Sequence, residues 1–227
     1  LGKRICDYYN DLAIKLNKVW GVEAPKDLAA LPVESEEGQA YLRDMTFAMR
    51  WAGENRALLM KKLFDAVKQV FTGCQVHSIS PVDVRHNYAA LENHYGKNVW
   101  VHRKGAIAAR EGQLGIVPGS MGSPSYITRG LGNAESFMSS SHGAGRKMSR
   151  ADARRTLSVE ECDLAMQGIV YPRWGKSKRW GKLMLAGVDL SEAPGAYKDI
   201  REVMEDQRDL TQIVAELRPL AVLKGDS

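Results

Sequence analysis

The hydrophobic periodicity of this chain changes twice, and those changes limit its architecture more than any other feature. Up to Val70, apolar residues recur at helical spacing. From Cys74 to Gly145 they come in short runs cut by glycine and proline: "CQVHSIS", "VDVRHNYAAL", "NVWVHRKG", "AIAAREG", "LGIVPGS" and "SYITRG". Runs of this length and texture read as strands. After Ser149 the helical spacing returns. The pattern predicts an α+β protein with a β-rich mixed-sheet core flanked by helices at both ends.

The helical parts carry their own punctuation. Ile5, Tyr9, Leu12, Leu16 and Val19 mark one face of a helix over residues 4–20, which Gly21 ends. A proline-containing connector follows. Ser35 is placed to cap a long helix whose first turn is acidic at Glu36 and Glu37. Its expected buried stripe is Tyr41, Met45, Ala48, Ala52, Leu59, Leu63, Val67 and Val70, with Gly53 a candidate kink or close-packing point. "SRAD" and "SVEE" both have the form of capping boxes. A last helix is expected from near Tyr197 to about Arg218, in one piece or two, and "LAVLKG" reads as a closing strand.

Composition narrows the partners. Of the 227 residues 44% are hydrophobic, enough for a real core. No apolar stretch reaches the length of a membrane span, and no membrane partner is expected. Three scattered cysteines form no CxxC and point to a reducing, cytoplasmic setting. The net charge of +5 is unevenly spread. Residues 129–155 hold six cations against two acids, and residues 173–182 hold five cations and no acid, interleaved with Trp174 and Trp180. Clustered cations beside stackable rings suit a nucleic-acid backbone and its bases, and a solvated loop is the plainer reading of the second cluster.

Candidate chemistry concentrates in two glycine-rich stretches, "GIVPGSMGSPSYITRGLGN" and "SHGAGR". Glycine lets backbone amides converge on phosphate oxygens, yet neither stretch is a Walker loop or a dinucleotide fingerprint. Among the histidines, His86, His94 and His102 are spaced eight apart, too far for local metal chelation: roughly 27 Å on a strand and roughly 12 Å on a helix. His77, His94 and His102 read as ordinary hydrogen-bonded residues. His142 differs. Three serines precede it, Gly143, Ala144 and Gly145 follow, and Arg146, Lys147 and Arg150 come next. Small neighbours leave room for a bulky group on the ring, and the cations would neutralise an anion held there. No serine–acid order of a hydrolase is present, so His142 reads as a nucleophile or base, with phosphorus a fitting electrophile.

The stretches "HNYAALE", "RKGAIAAREGQLGIVPGSMGS", "GLGNAESF", "SHGAGRKMSR", "AYKDIREVM" and the final "LKG" together resemble the RtcB-type RNA-splicing ligases, in unbroken order up to Gly225. The resemblance implies an RtcB-like fold. It also implies an enzyme that joins an RNA 2′,3′-cyclic phosphate or 3′-phosphate end to a 5′-hydroxyl end, using GTP and manganese. A histidine becomes guanylylated, passes the guanylyl group to the RNA 3′-phosphate, and the 5′-hydroxyl displaces GMP. His142 matches that nucleophile. His86 matches a manganese ligand, and Asn87 a nucleotide contact. Pro118, Gly119, Ser120 and Met121 match the nucleotide-holding loop, with Ser125 close after. Gly143, Ala144 and Gly145 line the same site. Lys224 matches a guanine-reading lysine, and Tyr197 packs beside the nucleotide. Arg146 and Arg150 match arginines that grip RNA phosphates.

The family's early DxxCG, GNHF and HxGSRG motifs, which carry most metal ligands, are absent here. "LGKRICDYYN" resembles the stretch just after GSRG. Residues 1–227 are therefore expected to form the C-terminal part of a single catalytic domain, with an N-terminal half as a missing partner. The implied partners are RNA (tRNA halves or cleaved and damaged transcripts) and an archease-like activator. A non-catalytic guanine-nucleotide or RNA-binding module is the alternative. A metal-dependent phosphohydrolase would need ligands this chain does not show.

Overall fold

The computed structural model describes residues 2–25, 28–73, 75, 82–172, 174 and 188–223. They form two compact units, 1–79 and 80–227. The α+β class expected from the sequence is what the structure has.

In the first unit, helix α1 (Gly2–Val19) and helix α2 (Glu36–Val70) lie against one another. Ser35 caps α2 as expected, its side chain accepting from the Gly38 amide. The buried line of α1 is Tyr9, Ala13 and Asn17, and Val19 at its end is exposed. Tyr9 donates to Asp44 on α2 at 2.8 Å, and Asn17 ties down Ala30 in the connector. The expected α2 stripe is only half right. Tyr41, Met45, Ala48 and Ala52 are half-buried, whereas Leu59, Leu63 and Val70 are 58%, 60% and 75% exposed. Length explains this: 18 residues of α1 rise about 27 Å, while 35 residues of α2 rise about 52 Å. The far half of α2 extends beyond its partner. Gly53 is not a close-packing point, an Arg56 nitrogen at 3.9 Å being the nearest atom to a Cβ there, and the helix continues through it.

The second unit is built on hairpins. Strands β1 (Asn87–His94) and β2 (Lys97–Lys104) pair antiparallel across a two-residue turn, Tyr95–Gly96, with φ of 53° and 74°. Two positive φ values match the right-handed twist of the strands. Strand β3 (Ala106–Ala108) pairs with β6 (Ser139–Ser141), and β4 (Leu114–Val117), β5 (Ser125–Gly130) and β7 (Thr211–Leu217) form a three-stranded antiparallel sheet in that order. Three short helices lie between β6 and β7 in the chain: α3 (Arg150–Thr156), α4 (Val159–Ala165) and α5 (Ile200–Asp206). Ser149 and Ser158 cap α3 and α4 as expected. The main core joins Ile107, Val117, Tyr126 and Ala144 to Ile200 and Met204 of α5.

Two expectations fail at the C-terminal end. The helix expected over 197–218 stops at Asp206, and Thr211–Leu217 is strand β7, paired with β5. β-Branched Thr211, Ile213 and Val214 fit a pleated edge, and β5 offers backbone partners that no local helix needs to supply. Among the described residues of "LAVLKG" there is one isolated bridge, Val170 to Ala221. "CQVHSIS" apart from Gln75, the basic Trp-containing run apart from Trp174, and Lys224 lie outside the described residues. Among the described residues no helix is long and apolar enough to cross a membrane.

Candidate functional site

Strand β6 ends at Ser141, and the next residue is His142. Its ring meets the main chain at the β2–β3 junction. The Nδ1 atom lies 2.7 Å from the Gly105 carbonyl oxygen, and the His142 amide donates to the same oxygen at 3.4 Å. A carbonyl can only accept, so Nδ1 carries a proton, and in the neutral ring the lone pair is on Nε2. Gly105 also donates its amide to the His86 carbonyl at 3.1 Å. The His86 ring stacks on that of His142, with centroids 5.4 Å apart and planes 14° apart. Two histidines 56 positions apart are thus brought together by one glycine. Gly105 has φ of +71°, a conformation that suits glycine, and the His142 ring lies within van der Waals contact, 3.4–3.5 Å, of where a Cβ would stand.

The other wall is the loop after β4. The Ala144 amide donates to the Pro118 carbonyl at 3.0 Å, so the "SHGAGR" turn and the "PGSMGS" turn are stitched side by side. Within the latter, the Ser120 amide donates to Ser123 Oγ at 2.6 Å and the Gly119 amide to Ser125 Oγ at 3.4 Å. Gly119 is required by crowding: a Cβ would overlap the Pro124 carbonyl and the Ser123 hydroxyl. Met121 is buried. Asn87 opens strand β1 next to His86, and both are exposed.

Smallness around His142 serves two ends. Ser141 Oγ donates to the Gly143 carbonyl at 2.5 Å and accepts from the Gly143 amide at 3.3 Å, which closes a tight turn. Ala144 is 4% exposed and belongs to the core. Part of the small-residue run is therefore packing. The ring itself is half-buried, with the His86 ring stacked against it.

The cations split. Arg146 is turned inward: it donates to the Met148 and Ser191 carbonyls at 3.1 and 2.6 Å, to Glu192 at 3.4 Å and to the Tyr197 hydroxyl at 3.3 Å, with its guanidinium 5.0 Å from the Tyr197 ring centroid. Tyr197 in turn donates a short hydrogen bond to Glu192. Burial and the Glu192 carboxylate push the Tyr197 phenol up from its ordinary value. Arg150, by contrast, has a side chain 65% exposed, held only through Nε by Glu192 at 2.8 Å. Gly145 connects the two groups, accepting from the Lys198 amide.

Three participants were not singled out from sequence. The Gly105 carbonyl is one, and no side-chain signal could reveal it. Gln207 is another: it is 4% exposed and accepts from the Ser141 amide at 2.9 Å. The third is a buried ion pair, Arg103 with Glu92, behind strand β6. His94 is part of that network, bonded to Glu92 at 3.0 Å, an ordinary structural histidine as read from sequence. His102 is exposed.

Among the described residues no three His, Cys, Asp or Glu side chains gather as a metal centre. His86 supplies one imidazole, which alone does not make a manganese site, since such an ion takes several donors.

Comparison with known proteins covers the whole of this arrangement. Residues 1–225 match the family described as tRNA-splicing ligase RtcB. The chain is 36% identical over 230 residues to the RNA-splicing ligase RtcB of Escherichia coli (strain K12), covering 99% of this chain and 53% of that one. It is 36% identical over 251 residues to the RNA-splicing ligase RtcB of Mycobacterium tuberculosis, covering 99% and 54%. Against the tRNA-splicing ligase RtcB of Methanocaldococcus jannaschii it is 35% identical over 254 residues, covering 99% and 25%. The chain spans about half the length of the first two relatives. On these matches, the chain belongs to the tRNA-splicing ligase RtcB family.

Proposed function

We propose that this chain supplies the nucleotide-accepting part of a GTP-dependent RNA ligase. The observation that carries the reading is the contact of His142 Nδ1 with the Gly105 carbonyl oxygen at 2.7 Å, which leaves Nε2 as the nucleophilic nitrogen of the neutral ring. In the proposed step, the Nε2 lone pair attacks the α-phosphorus of GTP, the bond to the bridging oxygen breaks, and pyrophosphate leaves with the electron pair. The guanylyl group then passes from nitrogen to an RNA 3′-phosphate, and a 5′-hydroxyl oxygen closes the phosphodiester as GMP departs. Pro118, Gly119, Ser120, Met121, Ser125, Gly143, Ala144 and Gly145 would cradle the nucleotide, with Asn87 and Tyr197 at its edges. The RNA would be tRNA halves or a cleaved transcript. Manganese enters this proposal only with ligands from a further polypeptide segment, beside His86. An N-terminal ligase half would provide that segment, and an archease-like protein could assist loading.

The test is adduct formation. The chain, with an N-terminal ligase half joined or added in trans, is incubated with manganese and labelled GTP. An acid-labile, alkali-stable protein adduct is expected. A second reading, a guanine-nucleotide or RNA-binding module without catalysis, draws on the lack of a metal cluster among the described residues. GTP binding that persists with no adduct at any manganese concentration would favour it.

Two predictions belong here. Lys224→Ala is expected to weaken GTP binding by about 1.5–3 kcal/mol and to blunt the preference over ATP, because an ammonium can donate to the guanine carbonyl that adenine lacks. Titration calorimetry with both nucleotides checks it; an unchanged preference removes Lys224 from the pocket. Arg150→Ala is expected to weaken RNA binding and lower the slope of log affinity against log salt by about 1. Arg146→Ala should instead lower folding stability, since four groups lose their donor. Equal salt slopes for wild type and Arg150→Ala would take that arginine off the RNA path.

A further inference from the structure

The His142 ring is held by main chain, and that main chain is held by one guanidinium. Arg103 is 2% exposed, and all five of its N–H donors are used. Nη1 donates to Glu92 at 2.7 Å and to the Tyr88 hydroxyl at 3.1 Å; Nη2 donates to the other Glu92 oxygen at 2.9 Å and to the Phe137 carbonyl at 3.0 Å; Nε donates to Ser139 Oγ at 3.0 Å. The last two acceptors lie on the segment that leads through β6 into His142. That segment is strained. Phe137 and Met138 have φ of 53° and 49°, consecutive left-handed residues with side chains, which persist only where surroundings impose them. Arg103 is also two residues before Gly105, whose carbonyl holds His142 Nδ1. One side chain therefore ties together the strand that carries the ring and the strand that carries its acceptor. Glu92 aims that side chain from a site it shares with His94 and Arg110.

We propose that Arg103, aimed by Glu92, is a positioning residue that holds His142 as the Nδ1–H tautomer with Nε2 directed into the site. This rests on the reading of His142 as the nucleophile. A pair that merely stabilised the fold would not need donors on the strained turn, and its loss would lower the amount of folded protein without changing the ring.

Arg103→Lys keeps the charge opposite Glu92 but cannot span the five acceptors. Ser139→Ala removes a single anchor and leaves the ion pair whole. Both are compared with wild type by nuclear magnetic resonance of the 227-residue chain at a pH where imidazole is neutral, with His142 assigned by its absence in His142→Ala. Wild type is expected to be predominantly Nδ1–H, and both variants to shift toward Nε2–H, Arg103→Lys further. In single-turnover guanylylation with the N-terminal half supplied, Arg103→Lys should slow the step about tenfold or more while half-saturating GTP stays within about twofold. Folded variants with wild-type tautomer and wild-type rate overturn the proposal. Should Arg103→Lys fail to fold, Ser139→Ala decides by the same two readouts. Absence of adduct in wild type would sink the ligase reading, and the tautomer measurement would still judge this one.

Discussion

His142→Ala is expected to reduce the guanylyl adduct below detection while leaving GTP binding within a few-fold of wild type. The ring is only half-buried, and its contacts are a carbonyl and a stacked imidazole, so removing it disturbs little packing. The Gly105 carbonyl would be left with its bond from the residue-142 amide. Loss of a covalent nucleophile removes the step altogether, in contrast to a weakened contact. The neighbouring serine is not free to substitute: Ser141 is engaged with the Gly143 main chain. Labelled GTP, gel separation and a parallel binding titration check both halves of the expectation. An undiminished adduct would move the nucleophile elsewhere.

Glu92→Gln is expected to destabilise the 80–227 unit by about 3–5 kcal/mol, the cost of leaving a buried cation without its counter-charge. The Arg103 side chain is 1% exposed and that of Glu92 7%. Hydrogen bonds from Arg103 are the main reason the Glu92 carboxyl is held down to about 2 from an ordinary 4.5, with His94 and Arg110 adding to the effect against burial. The sign follows directly. A carboxyl whose folded value lies below its unfolded value contributes stability that is complete above about pH 4.5 and disappears as pH falls through about 2. The contribution is about 3 kcal/mol. Denaturant unfolding should therefore show wild type and Glu92→Gln far apart at neutral pH and converging as acid is added. The double variant Glu92→Gln with Arg103→Met should recover much of the loss, because the stranded charge is gone. A Glu92→Gln protein as stable as wild type at neutral pH would show the pair to be solvated.

How much of this could be read from the residues follows from the range of the interactions. Caps are local, and Ser35, Ser149 and Ser158 all act where their spacing to the next turn places them. Strand limits were legible in part: "NVWVHRKG" and "SYITRG" become β2 and β5, whereas "VDVRHNYAAL" is strand only from Asn87 and β6 was not anticipated. The 200–217 segment was misread because its apolar spacing is ambiguous: Ile200, Val203 and Met204 continue helically into Gln207 and Leu210, and only pairing with β5 turns the remainder into a strand. The α2 stripe was misread because periodicity says which face is apolar and not how far a partner helix reaches. At the site, His142 stood out through its neighbours. Its meeting with His86 did not, since that needs the β1–β2 register and the turn at Gly105. Arg103 was invisible for a different reason: arginine is ordinarily a surface residue, and its burial becomes apparent only when five acceptors from four places converge on it.

Peptide mapping of the labelled adduct addresses the central claim most directly. The wild-type chain, supplied with an N-terminal half, manganese and GTP, is digested under alkaline conditions and the guanylylated peptide is sequenced by mass spectrometry. The account predicts one guanylyl group, on the peptide that contains His142, attached through Nε2. A guanylyl group on a lysine or on another histidine, with the His142 peptide unmodified, would contradict it.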